Sequence, residues 1–80
     1  MTDDNENEKI FLKLNYYLSK QSPIHFKLKS GDWRNAHIRS IDKENEVVLV
    51  KEFKLGDLQY FFFDIEADSI MEYVNRGVKK

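Results

Sequence analysis

From Asn7 to Gln21 the apolar residues recur at helical spacing. Ile10, Leu14 and Tyr17 follow one another at i+4 and i+3, and Phe11 and Leu18 lie on the same side, which predicts an amphipathic helix over 7–21. Asn5 or Asn7 suits its N-cap, and Glu6 and Glu8 sit where the helix dipole favours negative charge. Ser22-Pro23 ends it, because a residue before proline is pushed out of the helical region. Leu12 and Tyr16 fall off the main stripe, so the helix carries enough apolar surface to pack on something larger than itself.

After Pro23 the period changes to two. Ile24, Phe26 and Leu28 alternate with His25, Lys27 and Lys29, as in a half-buried strand. Ser30-Gly31-Asp32 is a turn signal, and Trp33 to Ile41 resumes extended character. Asp42-Lys43-Glu44-Asn45-Glu46 is a second polar turn. Val47 to Val50 is strongly β-prone and apolar on both parities. Leu55-Gly56-Asp57 is a third turn, and Leu58 to Phe63 the most apolar stretch. Four strands of this spacing after one helix suggest a small antiparallel barrel. The segment 69–74 reads two ways. Ser69-Ile-Met-Glu72 has capping-box spacing and Ile70, Tyr73 and Val74 fit a helical stripe, yet as a strand it would be a fifth, closing the barrel.

Eighty residues make one small domain, expected over 7–76, with an acidic flexible tail at 1–6 and a basic tail at 77–80. The chain has no cysteine, so disulfides and thiolate zinc sites are excluded. No apolar run approaches the ~18 residues of a membrane span. The acidic start is the opposite of a secretory signal, which leaves an intracellular, by default cytoplasmic, protein with no membrane partner as the expectation.

The net charge of −1 hides a polarity. Residues 1–8 carry four acids, and residues 9–39 carry seven cations against Asp32 alone. Residues 40–74 carry three lysines against nine acids, and 75–80 add Arg76, Lys79 and Lys80. Such a chain is not a bulk coater of DNA. It suits a local basic surface against a phosphate backbone, or a basic edge on one subunit meeting an acidic edge on the next. Solvated charge without a partner is the plain alternative.

Catalysis is not expected: there is no phosphate-binding glycine loop, no cysteine nucleophile and no serine elbow. Nor is a cofactor or metal. A three-residue loop at Ser30-Gly31-Asp32 would set Lys29 opposite Trp33, Lys27 opposite Asn35 and His25 opposite His37. Two histidines fall short of the three or four protein ligands zinc takes. The same alternation puts His25, Lys27, Lys29, His37 and Arg39 on one face with Trp33 and Asn35. Cations that track phosphates beside a ring that stacks on bases are what single-stranded nucleic acid requires. The other reading is the solvated side of a half-buried sheet with Trp33 covered by the helix.

Tyr60, Phe61, Phe62 and Phe63 put rings on both faces of one strand. A small domain has little with which to cover both, so pairing with a neighbouring subunit's last strand, around Ile70 and Tyr73, would bury them and remove an exposed edge. Cover by a helix of the same chain is the intrachain alternative.

This order of elements, with Phe26-Lys-Leu-Lys-Ser-Gly31, Ala36-His-Ile38-Arg-Ser-Ile41-Asp42, Asn45 before Val47-Val-Leu49, and Phe62-Phe-Asp-Ile65 before Ile70-Met-Glu-Tyr73, resembles the Sm-like (Lsm) proteins over roughly residues 8–74. The resemblance implies a mainly β fold: an N-terminal α-helix followed by a strongly bent five-stranded antiparallel, SH3-like barrel, with 69–74 as its last strand. It also implies an oligomer joined through strand edges and a role in RNA binding or ribonucleoprotein assembly. Asp42 and Asn45 match the family's loop positions, but only Lys43 and Glu44 separate them. Phe63-Asp64-Ile65 stands where the family carries a cation and a glycine. The expected RNA-binding residues are therefore Lys27, Lys29, Arg34, His37 and Arg39 for phosphates, Trp33 for stacking, and Asp42 with Asn45 for a loop site. The expected interface is Tyr60, Phe61, Phe62, Phe63, Ile70 and Tyr73. A protein–protein adaptor that keeps the fold without binding RNA is the alternative.

Overall fold

The computed structural model describes residues 2–74. Helix α1 (Thr2–Lys20) is followed by β1 (Ile24–Lys27), β2 (Trp33–Asp42), β3 (Val47–Glu52) and β4 (Gly56–Phe61). Two short 3-10 turns, Phe62–Asp64 and Ala67–Ser69, lead to β5 (Met71–Glu72). The helix begins at Thr2, ahead of the expected Asn7, and takes in the stretch read as a tail. The basic tail expected at 77–80 lies outside the described residues. No helix among the described residues is long and apolar enough to cross a membrane.

All five strands form one antiparallel sheet in the order β4-β3-β2-β1-β5. The sheet is not closed, which corrects the expected barrel. β4 and β5 are its two edges, and β5 pairs with β1 through only two residue pairs, Ile24 with Glu72 and His25 with Met71. Segment 69–74 is neither a helix nor a six-residue strand. The chain after Phe61 does its closing with side chains: Phe62, Ile65, Ala67 and Ile70 are all buried in the core. A bridge between Leu28 and Ile65 is the sheet-like contact that segment retains.

One face of the sheet holds the core. Ile24 and Phe26 from β1, Ala36 and Ile38 from β2, and Val48 and Val50 from β3 meet Ile10 and Leu14 of α1 there. The helix periodicity thus buries the stripe it predicted, while Leu12 and Tyr16 stay exposed. α1 ends in a capping motif, with the Gln21 N–H on the Leu18 carbonyl and the Ser22 N–H on the Tyr17 carbonyl, both 3.0 Å.

Strand β2 carries a bulge. Ile38 pairs with Val50, but Ser40 already pairs with Leu49, so Arg39 is the extra residue. The bulge inverts the alternation: Ala36 and Ile38 face the core before it, Ile41 after it. At the β3–β4 turn, Gly56 adopts a φ of +87°, a backbone state that side chains disfavour.

Candidate nucleic-acid interface

The face of the sheet turned away from α1 is a grid of side chains set by strand register. Lys27 lies opposite Trp33, His25 lies opposite both Asn35 and Met71, and His37 lies opposite Lys51. Phe53, the residue after β3, joins the His25–Asn35 row through its N–H, which donates to the Asn35 carbonyl at 2.9 Å.

This register corrects the expected one by two residues. His25 faces Asn35 and not His37, and Trp33 faces Lys27 and not Lys29. The turn spans residues 28–32, because after Lys27 the chain leaves the β2 ladder and Leu28 bridges to Ile65, with the Lys29 N–H on the Asp64 carbonyl. The N–H of Leu28 donates to the Asp32 carbonyl at 2.8 Å, its carbonyl accepts the Gly31 N–H, and Gly31 supplies a φ of +104°. A shift of two preserves the faces, so Lys27, Trp33, Asn35 and His37 still share one surface.

Two aromatic groups stand on that surface. The imidazole of His25 lies flat on the Trp33 indole, centroids 4.4 Å apart and planes within 6°. Nδ1 of His25 donates to Oδ1 of Asn35, which fixes the ring in that pose. Beside them, Phe53 has His37 at 5.3 Å and the edge of Tyr73 at 5.1 Å. Trp33 and Phe53 are each 46% exposed, so α1 does not cover Trp33. A hollow of about 240 Å³ opens next to His25, against Met71, Tyr73 and Val74.

Of the remaining expected cations, Lys29 and Arg34 do not join this face, and Arg39 stands on it beside Asp57, the register partner of Lys51. Lys29 lies in the turn with its ammonium 3.7 Å from Glu6. Arg34 is on the core parity: its Nε donates to the Tyr60 hydroxyl at 3.0 Å, and Asp32 lies 3.8 Å away. That hydroxyl raises the guanidinium's already high pKa, with burial opposing. Arg39, the bulge residue, donates to Asp57 at 3.3 Å. Asp42 and Asn45 are joined to each other. The Asn45 amide donates to the Asp42 carboxylate at 2.8 Å and its backbone N–H at 3.1 Å, and these bonds hold the Asp42 carboxyl below its ordinary value.

Of the expected interface residues, Phe62 and Ile70 are buried in the chain's own core, and Tyr60 is half-buried with its ring edge on Phe26. Phe61 and Phe63 remain exposed beside the β4 edge, and Tyr73 is half-buried against Phe53. Sequence reasoning missed Lys51 and Phe53. Both continue the odd, outward parity of Leu49, a signal hidden by ending the strand at Val50.

Among the described residues no group of three or more His, Asp or Glu side chains is placed to hold a metal. No family model, curated protein or solved structure matches the chain.

Proposed function

We propose that the chain is an Sm-like module that acts as an oligomer in RNA binding or ribonucleoprotein assembly. The observation that carries this reading is the strand order, which leaves β4 and β5 as the two open edges of one sheet. An open edge offers unpaired N–H and C=O groups, and β4 of one copy pairing with β5 of the next would satisfy both. That contact is head-to-tail, so repetition closes a ring or extends a filament. Phe61 and Phe63 stand beside the β4 edge, where such a contact would cover them. An N-terminal helix on a bulged antiparallel sheet, the Gly31 turn and the Asp42–Asn45 turn support the Sm-like, SH3-like reading of the fold.

Light scattering on the purified chain tests assembly, and the anisotropy of a labelled uridine-rich RNA at low and moderate salt tests binding. The expected results are a discrete multiple of the chain mass and a saturable association that weakens steeply with salt. A monomer at all concentrations would overturn the assembly reading.

One observation favours the adaptor as a second reading. Lys29, Arg34 and Arg39 are each held by an acid or hydroxyl of their own chain. An oligomer that binds no RNA at low salt, where electrostatics are most generous, would establish the adaptor over the RNA binder.

A further inference from the structure

We propose that the outer face holds a base-stacking site for single-stranded RNA, with Trp33 and Phe53 as its two platforms and Lys27 and Lys51 as its phosphate contacts. The proposal rests on the RNA-binding reading above and places that binding away from the Asp42–Asn45 turn.

The geometry of the rings is the first argument. Trp33 is covered on one side by His25 and is still 46% exposed, so its other side is open to a ligand. The stack below it and the Asn35 bond behind His25 fix the indole before anything binds, which lowers the ordering cost of association. Phe53 is braced differently, by a tilted His37 and a perpendicular Tyr73, and is likewise 46% exposed. Trp33 lies two residues along β2 from Asn35, to which the Phe53 N–H donates, so the two platforms sit diagonally, at the roughly 7–8 Å of such positions in a sheet. That is comparable to the step between successive bases of an extended strand.

The cations are the second argument. Lys27 is the register partner of Trp33, and Lys51 that of His37. Among the described residues neither lysine is in an ion pair. Asp57, opposite Lys51, is engaged by Arg39. Rings interleaved with available lysines fit a polyanion with π-faces. They fit a protein partner poorly, because the core of a protein interface is depleted of lysine. The turn offers no such site, since Asp42 and Asn45 satisfy one another.

Trp33 is the sole tryptophan, which makes its emission a direct reporter. The wild-type chain is titrated with a uridine oligomer and with an abasic ribose-phosphate oligomer of the same length. Affinities of Trp33→Ala, Phe53→Ala and Lys51→Ala are read by anisotropy of a labelled oligomer, with circular dichroism as the folding check. The proposal expects quenching by the uridine oligomer well beyond that by the abasic one. It expects a roughly five- to hundred-fold loss of affinity for each ring variant. Lys51→Ala should flatten the salt dependence by about 0.7 in log–log slope. Binding with unchanged emission, and with affinity retained in both ring variants, would overturn this site and leave the RNA-binding reading standing. No binding of any oligomer at low salt would overturn both, and would turn the face over to a protein partner. The wild-type emission comparison decides the matter even where a variant fails to fold.

Discussion

The rings of Phe61 and Phe63 lie flat on each other, centroids 5.2 Å apart and planes within 8°, while Phe62 between them in sequence is 1% exposed. The strand ends at Phe61 and a 3-10 turn follows, so three consecutive phenylalanines divide into one core residue and one exposed pair. Their variants should divide in the same way. Phe62→Ala empties a filled site and should cost about 3–5 kcal/mol, much of the roughly 5–15 kcal/mol by which a domain is stable. Phe63→Glu should cost about 0.5–1.5 kcal/mol through the lost ring pair, yet abolish the proposed assembly through the β4 edge. Urea unfolding and sedimentation, run on both variants, measure the two effects separately. A Phe63→Glu chain that keeps the wild-type mass would remove the pair from the interface.

Gln21 closes α1 with a φ of +57°, a left-handed conformation that glycine adopts without strain. A side chain there costs about 1–2 kcal/mol, and glycine's greater freedom when unfolded returns part of that. Gln21→Gly should therefore stabilise the chain by about 0.5–1 kcal/mol, a rise of about 2–8 °C in Tm for a domain of this size. Gly31→Ala, at a φ of +104°, should shift Tm in the opposite direction. Thermal melts of the two variants check the pair of signs.

These contrasts also mark where the sequence was legible. The alternation of Ile24, Phe26 and Leu28 and the helical stripe through Ile10 and Leu14 name core residues correctly, because burial on one face imposes a period that survives in sequence. Arg34 shares its parity with Ala36 and Ile38, so its inward position was readable, although its charge invited an outward one. The parity inversion at Arg39 left one mark in the sequence, the three-residue step from Ile38 to Ile41, which the end of a strand gives equally well. Val47 to Val50 carried no face at all in sequence, and only pairing with β2 assigns Val48 and Val50 inward and Leu49 outward. The open sheet follows from tertiary packing of Phe62, Ile65 and Ala67, which local propensity does not encode.

Tyr60→Phe separates the structural arginine from the surface cations. The substitution removes the hydroxyl that accepts the half-buried Arg34 Nε at 3.0 Å and leaves the ring in place. A charged donor deprived of its partner in that setting should cost about 1–2 kcal/mol. Affinity for a single-stranded oligomer should not change, because the bond lies on the core face. Lys27→Ala should do the reverse, leaving the urea midpoint within about 0.5 kcal/mol of wild type and weakening the oligomer complex. A loss of affinity in Tyr60→Phe equal to that in Lys27→Ala would mean that Arg34 reaches the ligand after all.

Glu52 gives the fold a sensitivity to acid. Its carboxylate is buried beside Ala36, and Oε1 accepts the N–H groups of Lys54 at 2.7 Å and Leu55 at 2.6 Å, which holds the β3–β4 turn together. Burial pushes this carboxyl's pKa up. The N–H groups of Leu55, Lys54 and Asn35, with the charge of Arg34, outweigh burial and hold it below the ordinary glutamate value. A depressed folded pKa contributes stability that is fully present above the unfolded value of about 4.3 and is lost as pH falls through the folded value. The urea midpoint of the wild type should therefore fall as pH drops below about 5. Glu52→Gln keeps an acceptor for the turn but cannot titrate, so its decline over the same range should be shallower, with Asp42 still contributing. At neutral pH, Glu52→Ala leaves the turn's N–H groups without their acceptor and should cost about 1–3 kcal/mol. Acid limbs of equal slope in wild type and Glu52→Gln would show that the turn's hydrogen bonds do not distinguish the carboxylate from the neutral acid.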